Sequence, residues 1–232
     1  MSKKVKQQKS TTEEVFKDLD IVASKSEIFV EKNKNIIIGA VLAVVIIIGG
    51  YMAYNDYYLA PLQKKATNEL FNAKQYFKQG AYETALKGDG QYLGLLDIAD
   101  DYSMTKSGNI ANYYAGLSYL KLGKYDEAIN YLEKFSSDDK MVGPAAKGSI
   151  GDAFVGLNQL DDALDYYEKA ANLSENDFTT PLFLIKAGNT AMELKDYSKA
   201  EDLYQRIKND FSKSAEAQSI DKFIERAKAS QN

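Results

Sequence analysis

The chain of 232 residues contains no cysteine and no histidine. Without cysteine, no disulfide can staple the fold, and thiolate sites are excluded. Without histidine, imidazole-based triads, His-ligated haem and Cys/His zinc sites are excluded too. Tryptophan is also absent, and only three prolines occur, Pro61, Pro144 and Pro181. So few helix breakers, together with 17 tyrosines, point to a helical protein that packs with aromatic rings. The apolar share of 45% is enough for a real core. Basic charge is scarce where nucleic acid would need it. Residues 1–35 carry eight Lys against six acidic residues, whereas residues 59–232 carry a net −5. An acidic domain argues against nucleic-acid binding, which depends on a basic surface.

One stretch is unlike the rest. Ile36 to Tyr54 holds 19 residues without a charge. At ~1.5 Å per residue a helix of that length reaches ~28 Å, the thickness of a bilayer's hydrocarbon core. A buried core helix would carry a polar stripe, and this stretch has none. A cleaved signal peptide would have a short basic lead and a small-x-small cleavage site. Here the lead is 35 residues long, and the run ends in Tyr51, Tyr54, Tyr57 and Tyr58, an aromatic belt. The reading is a retained single membrane span, residues 35–58, between a tail of residues 1–34 and a domain of residues 61–232. Lys32 and Lys34 stand before the span, and Asp56 is the first charge after it. That bias puts the amino end in the cytoplasm.

Within the tail, residues 1–10 are expected to be disordered. Thr11 and Glu14 fit a capping box, and Val15, Phe16, Leu19, Val22 and Ala23 recur at helical spacing. Both a loosely ordered tail and an amphipathic helix in the headgroup layer fit this pattern. Pro61 predicts a break or kink near Ala60.

From Pro61 the sequence reads as amphipathic helices in pairs, and it repeats. Gly116, Gly123 and Ala128 fall on Gly151, Asn158 and Ala163 after a shift of 35. A further 37 brings Gly151, Leu160 and Ala163 onto Gly188, Tyr197 and Ala200. Pro144 and Pro181, also 37 apart, suit the first turn of a helix, where a missing N–H costs nothing. A weaker early copy has Ala73, Tyr76, Gly80, Tyr82 and Ala85. Gly80, Gly123 and Asn158 fit left-handed helix ends, and Lys195 occupies that place at a cost. The predicted units are 65–100 (divergent), 109–143, 144–180 and 181–213, with a cap helix over 214–229. The segment from Lys87 to Asn109 reads as loop and irregular turn. Gly88-Asp89-Gly90 lacks the lysine and preceding strand of a phosphate loop, and Asp138-Asp139 lacks calcium-loop spacing. No cofactor or metal site is expected, nor a catalytic constellation. The fold class is all-α, a single span followed by an α-solenoid.

Gly116, Tyr119, Gly123, Tyr125 and Ala128 resemble the tetratricopeptide repeat, whose pattern is G-x-x-Y followed by G-x-Y-x-x-A. The usual early Trp is replaced by Asn112, Lys147 and Leu184. The resemblance implies a concave surface lined by the first helix of each pair. Candidate groove residues are Ile110, Tyr113, Leu117 and Leu120, then Asp152 and Val155, then Ile185, Asn189 and Met192. An alternative assignment of about half of them is core. Ala145, Gly148 and Leu182 fall on the same helical face. The whole layout is similar to the YfgM-like ancillary subunit family of the bacterial SecYEG translocon. That resemblance implies a non-enzymatic scaffold in the inner membrane with a periplasmic domain. Its expected partners are translocon subunits, chaperones or unfolded client polypeptides. An assembly factor for another cell-envelope complex fits the same repeats.

Overall fold

The computed structural model describes the backbone of residues 2–231 and the side chains of residues 28–231. Two units emerge, residues 1–58 and residues 59–232. Helix α1, Ser2–Tyr54, accounts for nearly all of the first. It begins nine residues before Thr11, because neither Gly nor Pro interrupts the chain before Gly39. The side chains of the Thr11–Glu14 box and of Val15, Phe16, Leu19, Val22 and Ala23 lie outside the described residues. The apolar stretch is long enough to cross a membrane, and none of it is buried inside the protein. At Pro61 the expected break takes a milder form. Residues Asn55–Leu59 form a π-helical turn, and Leu59 keeps helical dihedrals. Pro61 has no N–H to donate four residues back, and a local change of hydrogen-bond register accommodates that loss.

The second unit is a row of helices, with no strand among the described residues. Helices α2 (Ala60–Lys78) and α3 (Tyr82–Lys87) form the divergent first pair. A short helix α4 (Leu95–Asp101) follows. Three regular pairs come next. They are α5 (Lys106–Lys121) with α6 (Tyr125–Lys134), α7 (Val142–Gly156) with α8 (Leu160–Leu173), and α9 (Thr179–Glu193) with α10 (Tyr197–Asp210). Helix α11 (Ile220–Gln231) closes the row against α10.

The first helices touch in succession, α2 on α5, α5 on α7 and α7 on α9. The second helices pack on the helices that flank them in sequence. Such a stack buries what a single pair cannot.

Each regular pair closes on one spacing. An added Cβ on Gly116 would overlap Leu132, one on Gly151 the Tyr167 ring, and one on Gly188 the Tyr204 ring. In all three cases the filler lies 16 residues after the glycine. The carbonyl of Ala128 also lies close to Gly116, so the two backbones approach there. Tyr125, at the start of the second helix of its pair, lies against Gly156 of the next pair.

The helix ends repeat as well. Gly80, Gly123, Asn158 and Lys195 all have positive φ, at 77°, 71°, 59° and 63°. After each, the next N–H reaches back to a carbonyl five residues earlier, as in Lys124 to Tyr119 and Asp196 to Ala191. These are Schellman-type ends. At the other end, Asp139 Oδ1 accepts from the N–H groups of Met141 and Val142, and Asn176 Oδ1 from those of Phe178 and Thr179. Asp139 is thus a helix-start device, and the backbone donors hold its carboxyl below the usual range.

The segment after Leu86 is more ordered than expected of a loop. Helix α4 buries Leu95, Ile98 and Ala99 beside Leu86 and Ala111. The cue is the apolar set Leu95, Leu96, Ile98 and Ala99 at helical spacing. Gly94 has to be glycine, since a Cβ there would strike the Leu86 carbonyl. Asp89 accepts from the Gln91 and Tyr92 N–H groups and the Tyr76 hydroxyl, so Gly88-Asp89-Gly90 is a turn folded on its own carboxylate.

Lys195 is the one long side chain among the four left-handed ends. Left-handed backbone costs a non-glycine residue about 1–2 kcal/mol, part of which glycine's larger unfolded-state entropy offsets. Lys195→Gly should therefore stabilise the repeat unit by about 0.5–1 kcal/mol. Thermal unfolding followed by circular dichroism would show a higher midpoint, and a lower one would reject the turn assignment.

Candidate protein-binding surface

The side chains that the sequence assigns to a groove divide into three kinds. Ile110 and Val155 are exposed, as is Leu182 on the same face. Tyr113, Leu117, Ile185 and Met192 are half-buried and pack against the core clusters, and Leu120 is half-buried too. Tyr113 illustrates the middle kind. Its ring centroid is 4.9 Å from that of Phe135, and burial pushes its hydroxyl above the usual tyrosine range. Gly148 is fully enclosed beneath the Phe183 ring of the next pair.

Asp152 and Asn189 form the third kind, polar groups already engaged. Asp152 accepts from the Tyr167 hydroxyl and pairs with Lys186 at 2.6 Å. Asn189 Oδ1 accepts from the Tyr204 hydroxyl at 2.8 Å. The first regular pair has Leu117 and Leu132 at the corresponding places. One structural position therefore exists in two self-consistent forms. A tyrosine comes with an acceptor and a leucine comes with a leucine, because a buried hydroxyl needs a partner. Burial first, then the Asp152 bond and charge, raises the Tyr167 hydroxyl far above its ordinary value. Burial pushes the Tyr204 hydroxyl up to about 12, against the opposing charge of Arg226.

Around this face lie shallow hollows. One of about 660 Å³ opens between α2 and α5, lined by Phe71, Lys74, Lys78, Lys106 and Ile110 among others. A neighbour of about 510 Å³ continues past Ile110 to Phe135, Val142 and Asp138. A third, of about 500 Å³, lies against α11 and includes Tyr204, Phe223 and Arg226. Among the described residues no group of three or more acidic side chains is arranged to hold a metal ion.

Sequence reading missed one feature. Met104, Met141 and Phe178 are all exposed and stand 37 apart, each just ahead of a first helix or at its start. The repeat period itself was the available signal.

The Tyr–acceptor pairing predicts a coupled mutant cycle. Asp152→Leu strands the Tyr167 hydroxyl and should cost about 1–3 kcal/mol. Adding Tyr167→Leu copies the Leu117–Leu132 arrangement and should recover part of that loss, with a coupling of about 0.5–3 kcal/mol. Urea unfolding of the four proteins measures it, and simple additivity would reject the pairing. The tyrosines also set an alkaline limit. A raised folded pKa means that the neutral hydroxyl is favoured in the native state. Stability from Tyr204 is therefore full below pH 10 and lost as pH rises through about 12. The urea midpoint should fall across that window, and less steeply in Tyr204→Phe.

The tetratricopeptide-repeat family profile matches two overlapping stretches, residues 113–178 and 149–217. Comparison with curated proteins gives no match. Among solved structures, the chain is similar to the nearly identical tetratricopeptide-like repeats of a Podosopora anserina kinesin light chain candidate. The TM-score is 0.54 at 14% identity, over 73% of this chain and 88% of that one. A point-substituted form of the same protein gives the same score and identity, over 87% of its length. At that identity the likeness concerns the fold. The chain is thus an all-helical protein built on a tetratricopeptide-repeat solenoid, and among the described residues one helix is long and apolar enough to span a membrane.

Proposed function

We propose that this chain is a membrane-anchored scaffold that binds other proteins, with its repeats outside the cytoplasm. Its clients are translocating or newly exported polypeptides, which it meets at the secretion translocon and passes to chaperones. One observation carries the reading, an apolar helix with no burial inside the protein on the same chain as a repeat solenoid. Leaving that helix in water would expose Ile36, Ile46 and Ile47 at about 70% each. A bilayer removes that cost. Lys32 and Lys34 favour a cytoplasmic amino end.

The grip is loose and needs no catalysis. Ile110, Val155 and Leu182 offer exposed apolar contacts, and Tyr113, Leu117, Leu120, Ile185 and Met192 supply a half-buried floor. Such a surface suits extended or helical apolar segments. Ordering a flexible client offsets much of the contact energy, so affinity is modest.

Two experiments test this reading. Protease added to spheroplasts should digest residues beyond about 60 and spare the tail, as the charge bias implies. Protection of the repeats would reverse the topology. A photo-crosslinker at Val155 or Leu182 should capture translocon subunits and exported chains. Capture of cell-wall or outer-membrane assembly proteins instead would assign the scaffold to that machinery.

A further inference from the structure

The charge of the repeat unit is divided along the chain. Residues 59–78 carry four Lys and one Glu, a net +3, whereas residues 79–232 carry a net −8. Several lysines of the unit meet carboxylates. Lys87 and Lys124 meet Glu83, Lys186 meets Asp152, Lys199 meets Glu168 and Lys208 meets Asp221. Lys74, Lys78 and Lys106 are among those without such a partner, and they are set apart by their place. They gather at the hollow between α2 and α5, whose lining contains no Asp or Glu. Among the described residues, no carboxylate forms a salt bridge with any of the three. Lys74 stacks its ammonium 5.1 Å from the centroid of Tyr114, which orients the charge without neutralising it.

The floor between these lysines is apolar and held in place. Phe71 is 62% exposed, and Ile110 is 36% exposed beside it. Beneath them, Gln63 donates to the Ser107 hydroxyl at 2.7 Å and so ties α2 to the start of α5. The groove changes sign at its far end. Past Ile110 it reaches Asp138 and Asp139. A ligand with acidic groups is therefore drawn to the α2 end alone.

We propose that this groove holds an acidic segment of a partner polypeptide, its carboxylates on Lys74, Lys78 and Lys106 and its apolar side chains on Phe71 and Ile110. This rests on the protein-binding reading above and names the chemistry of the partner. Three uncompensated cations in an otherwise acidic unit give charge complementarity, and the exposed aromatic between them requires an apolar residue in the ligand. A phospholipid headgroup could satisfy the cations, but a single headgroup would leave the elongated Phe71–Ile110 floor uncovered.

The test uses the full chain in nanodiscs of zwitterionic lipid. Three labelled peptides share one pattern of Phe and Leu, with Glu, Gln or Lys between them, and binding is read by fluorescence anisotropy. The Glu peptide should bind about tenfold more tightly than the Gln peptide, the sum expected from three exposed ion pairs. Added salt should remove that advantage. The variant Lys74→Gln/Lys78→Gln/Lys106→Gln should bind the Glu and Gln peptides alike, at the affinity that the unaltered protein has for the Gln peptide. Lys121→Gln/Lys213→Gln should change nothing. Should the triple variant unfold, Lys78→Gln and Lys106→Gln singly carry the test, each losing about twofold. Equal binding of Glu and Gln peptides by the unaltered protein would overturn the acidic-segment proposal and leave the scaffold reading standing. Binding of no peptide would overturn both. Displacement of the Glu peptide by anionic phospholipid, in a manner dependent on these three lysines, would overturn the proposal in favour of a lipid occupant.

Discussion

The repeat unit depends on one contact, a glycine in the first helix of a pair lying under the side chain sixteen residues later. Gly116 meets Leu132, Gly151 meets Tyr167 and Gly188 meets Tyr204. Glycine in a helix interior costs about 1 kcal/mol against alanine. The close approach offsets that cost by letting a large side chain bury completely, as Tyr204 and Leu132 do at 1% exposure. Once the ring is fixed, its polar end needs an acceptor. Asp152 and Asn189 are therefore claimed by the fold, and Lys186 follows Asp152. Much of the first-helix face is thus occupied by the demands of packing.

What remains open on that face is uneven. Toward α9 and α11 the polar groups largely satisfy one another. Toward α2 they do not, because the basic residues of the first helix have few acids in reach. The divergent first pair explains this. Helix α3 is a single short turn and a half, and the short α4 packs against α5, α3 and α2. In the regular pairs some lysines meet an acid of a neighbouring helix, as Lys186 of α9 meets Asp152 of α7 and Lys199 of α10 meets Glu168 of α8. The first pair leaves Lys74 and Lys78 facing a hollow.

Much of this architecture could be read from the sequence. The repeat period, the prolines in first turns and the left-handed ends rest on local chemistry. Glycine or asparagine tolerates positive φ, and Pro lacks only an N–H that a first turn does not use. Even the strained Lys195 was legible, because three of four copies offered the expected residue. The apolar stretch from Ile36 to Tyr54 needed nothing more than counting. Helix α4 was obscured by the glycines around it, which suggested a loop when they in fact allow close approach to Leu86 and Tyr92.

The sequence alone therefore determined the elements, their period and the single apolar helix, since these follow from backbone preference and local spacing. Only the tertiary structure decided which residues of a helical face reach solvent. Tyr113 and Ile110 lie three residues apart on α5, yet Tyr113 packs on Phe135 while Ile110 remains exposed. Asp152 read as a free groove residue until Tyr167 and Lys186 were found beside it, 15 and 34 residues away in the chain. Periodicity specifies a direction around a helix axis. Whether another helix lies in that direction, and which polar group it brings, depends on how the pairs stack.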